Sequence, residues 1–324
     1  TVSLHSGAYE CGDLRLDYGF PTVRTMEKDR APTLIYSIQL AHPIERVAAE
    51  ITLPNDGRHP DSVTAKLLVT RGGSQVQVDA EKWVGSDWSL GSVRRVMLSY
   101  DAIGDSTGLY QYTIQAGRWY GATLESNSVA SDLVVVNRST SPFGAGWGLA
   151  GLEPIIPLGG NKWLEIGGDG STRVVSPSGT NLWLGNNVDR RELLEYGGTY
   201  YSRRLPHRAC VLFNASGQHV QTRNRLGEVL ATLDRTNFVY SGNLVTSIPL
   251  PVPSGSLSYT FAYDTVSGKP RLLRVTAPPA GAVTRVTTAT ISSGQLLLLA
   301  YNAHPAVQFA YDGTLSNRIL SVTD

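Results

Sequence analysis

Glycine and proline interrupt this chain so often that few windows are left in which a helix can run. The 33 glycines and 17 prolines are spread evenly along 324 residues, and between them short apolar runs alternate with polar positions. Alternation of period two places every second side chain on one face of a strand. In "TLIYSIQLA", Leu34, Tyr36, Ile38 and Leu40 share a face; in "GLYQYTIQAG", Tyr110, Tyr112 and Ile114 do the same. "IERVAAEI", residues 44–51, fits a helix and a strand almost equally and is assigned to a strand. The expected class is all-β.

Residues 1–43 read as N-terminal strands. From 44 to 138 some seven candidate strands, broken by "PNDG", "RGGS" and "GDSTG", suit an immunoglobulin- or fibronectin-like sandwich. Residues 139–160 form a linking segment. From 161 to 324 the pattern becomes a meander of hairpins, such as "KWLEI-GGDGS-TRVV", "RELLEY-GGT-YYSRRL" and "VLF-NASG-QHVQTRN", each with glycine where a turn needs positive φ.

The linking segment holds "SPFGAGWGLAG", in which Gly146, Gly148 and Gly151 fall in the order G-x-G-x-x-G. A dinucleotide site needs a strand immediately before these glycines and a helix after them. Here Pro154 and Pro157 block the helix, and no acidic residue stands in a suitable context for a ribose. The glycines are therefore expected to let an extended backbone pass close beneath Phe143 and Trp147, packed as an aromatic pair with Trp147 buried.

Comparison of the chain with itself uncovers a repeat. "FAYDTVSGKPRLLRVT" from Phe261 matches "FAYDGTLSNRILSVT" from Phe309, 48 positions on, with one residue deleted. A weaker copy, "FVYSGNLVTSI", starts at Phe238, and "RLGEVLATLD" and "FNASGQHVQ" read as decayed members. Such repeats point to hairpins that bury their apolar faces against one another. Within a copy Phe261 and Tyr263 share a face and Asp264 is expected to open the turn; Phe309, Tyr311 and Asp312 repeat the pattern. The deletion is expected in the turn, because a slip inside a strand would reverse every later side chain.

Other chemistry finds little footing. With 28 basic and 27 acidic side chains and no basic run interleaved with aromatics, nucleic acid is not an expected partner. "LLLLA" falls far short of the roughly 20 apolar residues of a membrane helix. The six histidines show no metal-ligand spacing, Cys11 and Cys210 form no zinc motif, and "GDGS" offers one acid where calcium takes six to eight oxygens. No catalytic, cofactor or metal residue is assigned, and the expectation is no enzyme and no cofactor. Six Trp and fifteen Tyr leave a carbohydrate-binding or adhesion module as the alternative, with surface glycans or proteins as partners. A hydrolase would need two carboxylates brought together from different strands.

The F-x-Y-D…L-x-x-V-T copies resemble the YD repeats of Rhs and teneurin-like proteins. The stretch "VVVNRSTSPFGAGWGLAGLEPI…GGDGSTRVV" resembles the segment that leads into their repeat shell, with Ser141, Pro142, Phe143, Gly144, Gly146, Trp147 and Gly151 as the specific part. The resemblance covers residues 141–324 and, more loosely, the strand at Thr33. It implies a fibronectin-like plug followed by a partial β-shell, in a secreted or cell-surface protein. It further implies a non-catalytic function: enclosing a C-terminal toxin or displaying adhesion domains, with the remainder of the same polypeptide as partner. The D-P-x-G motif at which many Rhs proteins cleave themselves is absent, so self-cleavage does not carry over, and the repeats are too few to close a shell. On this reading the chain is a piece of something longer, whose last hairpin ends at an open edge.

Overall fold

The computed structural model describes residues 2–6, 14–24, 29–167, 170–185, 193–198, 201–204, 210–223, 236–250, 257–302, 304–313 and 317–323. The protein is all-β, built of antiparallel sheets and a half-barrel. It divides into two compact units: Pro43–Asn137, and Thr1–His42 together with Arg138–Asp324.

The unit Pro43–Asn137 is a sandwich. Strands Thr123–Val135, Gly108–Tyr120, Ser62–Arg71 and Ser74–Val84 lie in that order in one sheet, and Ile44–Thr52 pairs with Val93–Asp101 in the other. The alternation in the sequence sets the core: Val63, Ala65, Leu67 and Val69 point inward from one sheet and meet Val47, Ile51, Val96, Leu98 and Tyr100 from the other. Six strands stand where about seven were expected, because the apolar run at Leu133 is the end of a strand that already begins at Thr123. Residues 44–51 are strand, as assigned.

In the other unit, strands Val2–Ser6, Leu14–Gly19, Thr33–Ser37 and Trp147–Leu149 form a four-stranded sheet. Leu34 and Tyr36 are buried side by side in it, but Ile38 and Leu40 leave the expected strand for a single helical turn, Ile38–Ala41. Space explains the change. The turn sets Ala41 against Gly146, where an added Cβ would come within 2.5 Å of the Ala41 methyl. Among the described residues, nine strands from Ile155–Leu158 to Thr236–Asn237 then form one meander, and eight from Val239–Ser241 to Ile319–Thr323 form a second.

The second meander carries the repeat, and its register explains the motif. Residues i and i+2 of a strand share a face, whereas i and i+3 do not. F-x-Y obeys the first rule and L-x-x-V breaks it. A β-bulge reconciles them: Ala262 pairs with Arg274 while Tyr263 pairs with Leu272, so Leu273 is an extra residue. Leu272 and Val275 are thereby both inward, 1% and 2% exposed, while Leu273 is 46% exposed. The same bulge recurs at Ala310/Tyr311, where Leu320 is extra, and at Val239/Tyr240, where Thr246 is extra.

It also recurs at Thr290/Ile291, with Leu297 extra, and this discloses a hairpin between the two obvious copies. In it Ala289 and Ile291 occupy the Phe and Tyr positions, and Leu296 and Leu299 those of L-x-x-V. The deleted residue falls where expected, between Asp312 and Arg318 at the hairpin end, where the Asp312 amide bonds to the Arg318 carbonyl. Residues 314–316 there, like "RLGEVLATLD" (225–234), Cys11, and Gly168 and Asp169 of "GDGS", lie outside the described residues.

Candidate functional site

The inward face of the eight-stranded sheet packs on the four-stranded sheet and on the glycine-rich run, in one apolar cluster that includes Leu16, Tyr36, Phe143, Trp147, Phe261, Leu296 and Phe309. The run 141–149 is the centre of this contact. Rather than lying extended, residues 142–146 form a tight turn and only Trp147–Leu149 is strand, paired with Leu34–Tyr36. Ser141 is the reason for the turn: its hydroxyl accepts from the Phe143 amide at 3.2 Å and donates to the Trp147 carbonyl at 2.6 Å. The Gly144 and Trp147 amides bond back to Ser141 and Gly144.

Gly144 and Gly146 take φ of 104° and 79°, the left-handed region. A Cβ on Gly144 would sit 2.8 Å from Cβ of Leu296, and one on Gly146 2.8 Å from the Tyr36 ring and 2.9 Å from the Ser37 carbonyl. Gly151 also has positive φ, 73°, but open space around it.

The turn touches three successive hairpins. Its Pro142 carbonyl accepts from the amide of Leu272, the residue just before the bulged Leu273, at 2.7 Å. Its Ala145 amide donates to the Gly294 carbonyl, also at 2.7 Å, at the tip of the hidden hairpin. Phe143 and Trp147 do not serve as each other's partners. Phe143 meets Tyr263 edge-on, with centroids 6.3 Å apart, and Trp147 packs between Tyr36 at 5.5 Å and Phe309 at 5.0 Å. Trp147 is fully buried.

The repeat tyrosines act through their hydroxyls. Tyr263 donates to the Val245 carbonyl at 2.9 Å, and Tyr311 to that of Leu296 at 3.0 Å. Val245 and Leu296 are equivalent first positions of L-x-x-V in the preceding hairpin, so each tyrosine satisfies a carbonyl beside its neighbour's bulge. Tyr240 does the same for His219, at 2.8 Å. Burial raises all three above the ordinary tyrosine range, Tyr311 to about 12, which keeps the hydroxyl proton in place for donation. Asp264 does not open its turn. It lies within the strand opposite Arg271, because this hairpin stays paired as far as Val266 and turns at Ser267–Gly268. Asp312 does stand at the end of its strand.

Sequence reading missed a second polar cluster, in the nine-stranded sheet. Glu165, 2% exposed, takes Arg173 Nε at 2.8 Å and Nη2 at 2.5 Å, with Arg203 Nη1 at 3.9 Å; Arg203 also bonds to Glu153. His219 lies beside it, accepting the Glu153 amide on Nδ1 at 3.2 Å and meeting Thr222 Oγ1 through Nε2 at 2.8 Å. Burial, helped by the Arg203 charge, lowers its pKa to about 4. Its signal was present as charged residues alternating with aromatics, Trp163 with Glu165 and Tyr201 with Arg203. Two carboxylates do meet here, but around one shared arginine, Arg203, which ties their segments together. None of the six Trp is exposed; Trp163 and Trp183 pack with Tyr201 in an aromatic cluster.

A scan against protein-family models and a search of curated proteins match nothing for this chain.

Proposed function

We propose that the chain is a non-catalytic structural segment of a large secreted or surface protein of the YD-repeat kind. Its hairpin sheet builds a wall that encloses or displays another part of the same polypeptide, and residues 141–149 anchor that wall from inside. One observation carries the reading: a single short turn is bonded to three consecutive hairpins through backbone groups and rings that the repeat motif itself supplies. An array that only had to stack would not need such an anchor. The family resemblance, resting on the motifs at residues 141–151, 261–264 and 309–312, supports the same reading.

Limited proteolysis of the full-length gene product tests it, with fragments identified by mass. The expected result is a resistant core that contains this chain together with a further part of the polypeptide, and loss of that further protection in Trp147→Ala. If everything beyond the chain is cut equally fast in both proteins, nothing is enclosed and the proposal fails.

A further inference from the structure

The two edges of the four-stranded sheet in the sandwich are treated differently. Sheet edges expose unpaired backbone donors and acceptors, and proteins guard them with charge, proline or bulges. Strand Ser74–Val84 is guarded: it has a bulge opposite Leu67/Leu68, it carries Asp79, Glu81 and Lys82, and Asp79 is bonded to the Ser99 amide at 2.7 Å. Strand Thr123–Val135 is less guarded: it has no bulge and no proline, and its two charges, Glu125 and Asp132, leave the middle of the strand bare. It pairs with Gly108–Tyr120 over its whole length without a register shift, and residues 126–131, Ser-Asn-Ser-Val-Ala-Ser, contain no charge and no proline.

Its core-side face is also uncovered. Val129 pairs with Ile114 and lies on the same face, yet Ile114 is 4% exposed and Val129 is 61% exposed. A four-stranded sheet covered by a two-stranded one leaves the outer strand bare on the side where a core would be.

We propose that Thr123–Val135 is a self-association edge, which pairs antiparallel with the same strand of a second copy about a two-fold axis at Val129. The charge pattern favours a copy of this chain over a foreign strand. Two-fold antiparallel pairing joins only residues of the same parity, since alternate residues turn their backbone groups outward. The strand's acids, Glu125 and Asp132, are an odd number of positions apart and can never face each other. About Val129, Glu125 faces Leu133 and Asn127 faces Ser131, while Val129 meets its own copy and is covered. Glu125 is moreover paired within its own chain, with Arg58 at 3.1 Å and Arg118 at 3.4 Å. One strand pair buries less than the roughly 1,200 Å² of a stable interface, so the dimer is weak and concentration-dependent. This inference is independent of the proposed enclosure.

Sedimentation velocity of the whole chain over a concentration series tests it, together with amide exchange at low and high concentration. The expected outcome is a shift towards dimer with slowed exchange confined to residues 123–135. Val129→Lys and, separately, Asn127→Lys, both at exposed side chains, weaken association more than about tenfold by placing like charges near the axis. Near-UV circular dichroism verifies that each variant is folded. A chain that stays monomeric throughout overturns the proposal. So does a dimer indifferent to both variants, or one whose protection maps to Ile319–Thr323, the outer strand of the repeat sheet.

Discussion

Trp147 donates its indole N–H to the hydroxyl of Tyr311 at 3.3 Å, across 164 residues of chain, while that hydroxyl donates in turn to the Leu296 carbonyl at 3.0 Å. Anchor, tyrosine and neighbouring hairpin are thus in one hydrogen-bond chain inside an apolar cluster. An unmade bond in such surroundings costs more than the net worth of a made one.

Trp147→Ala is therefore expected to destabilise its unit by about 3 to 5 kcal/mol, as deletion of a large buried aromatic does. Trp147→Phe costs less, since most of the packing survives. Urea unfolding followed by circular dichroism measures both, and equal losses would show that the indole N–H matters more than the ring.

The bulge makes neighbouring leucines unequal. Leu272→Ala is expected to cost about 2 to 5 kcal/mol, and Leu273→Ala, one position along and facing out, less than about 0.5 kcal/mol. An unbulged strand would bury only one of Leu272 and Val275, so the size of the loss at Val275→Ala, expected to match burial on the same face as Leu272, checks the register independently.

Gly146→Ala is expected to cost more than about 2 kcal/mol, because the new methyl meets the Ser37 backbone as well as an unfavourable φ. Gly151→Ala, with similar φ and open space, costs only the conformational part, about 1 kcal/mol. Thermal or urea midpoints of the two variants separate steric from conformational effects.

His219 makes stability fall with acid over a defined window. Its folded pKa, about 4, lies below the ordinary 6.5. Above pH 6.5 neither state takes the proton; between 6.5 and 4 the unfolded chain takes it and the folded one does not, so stability drops by up to about 3 kcal/mol and then levels off. Around it stand the Arg203 guanidinium, the Thr222 hydroxyl, the backbones of Gly151, Glu153 and Gln221, and the rings of Phe213 and Phe238. Unfolding free energies of the wild type and His219→Gln, compared from pH 7.5 to 4.5, should diverge by that amount, and parallel curves would place the acid sensitivity elsewhere.

Where local pattern and packing agreed, the fold was legible in the sequence. Alternation gave the strands, glycine the turns, and the isolation of Trp147 among glycines its burial. The hidden hairpin at Ala289 was not legible, because alanine and isoleucine satisfy the inward positions without matching a letter of F-x-Y. What persists is the bulge, a backbone property that only the i, i+3 spacing of Leu296 and Leu299 betrays. Asp264 misled for a related reason: Asp commonly opens turns, but strand pairing through Val266 outweighs that preference. The Glu165–Arg173–Arg203 group needed the third dimension, since its members come from separate strands of a meander.

Each of these four hairpin bulges inserts one residue on the second strand and none on the first, always at the same place relative to the Tyr position of the motif, which Ile291 fills in the hidden hairpin. A bulge bends the strand that carries it, so every hairpin is a wedge of the same taper, and the bend belongs to the unit rather than to the whole. Like the stones of an arch, such units can be counted up or down without recutting any of them. Gain or loss of an entire hairpin lengthens or shortens the arc at constant curvature, whereas a single residue gained inside a strand spoils the taper, and this gives lineages of such a chain a coarse, quantised way to change the span of the sheet.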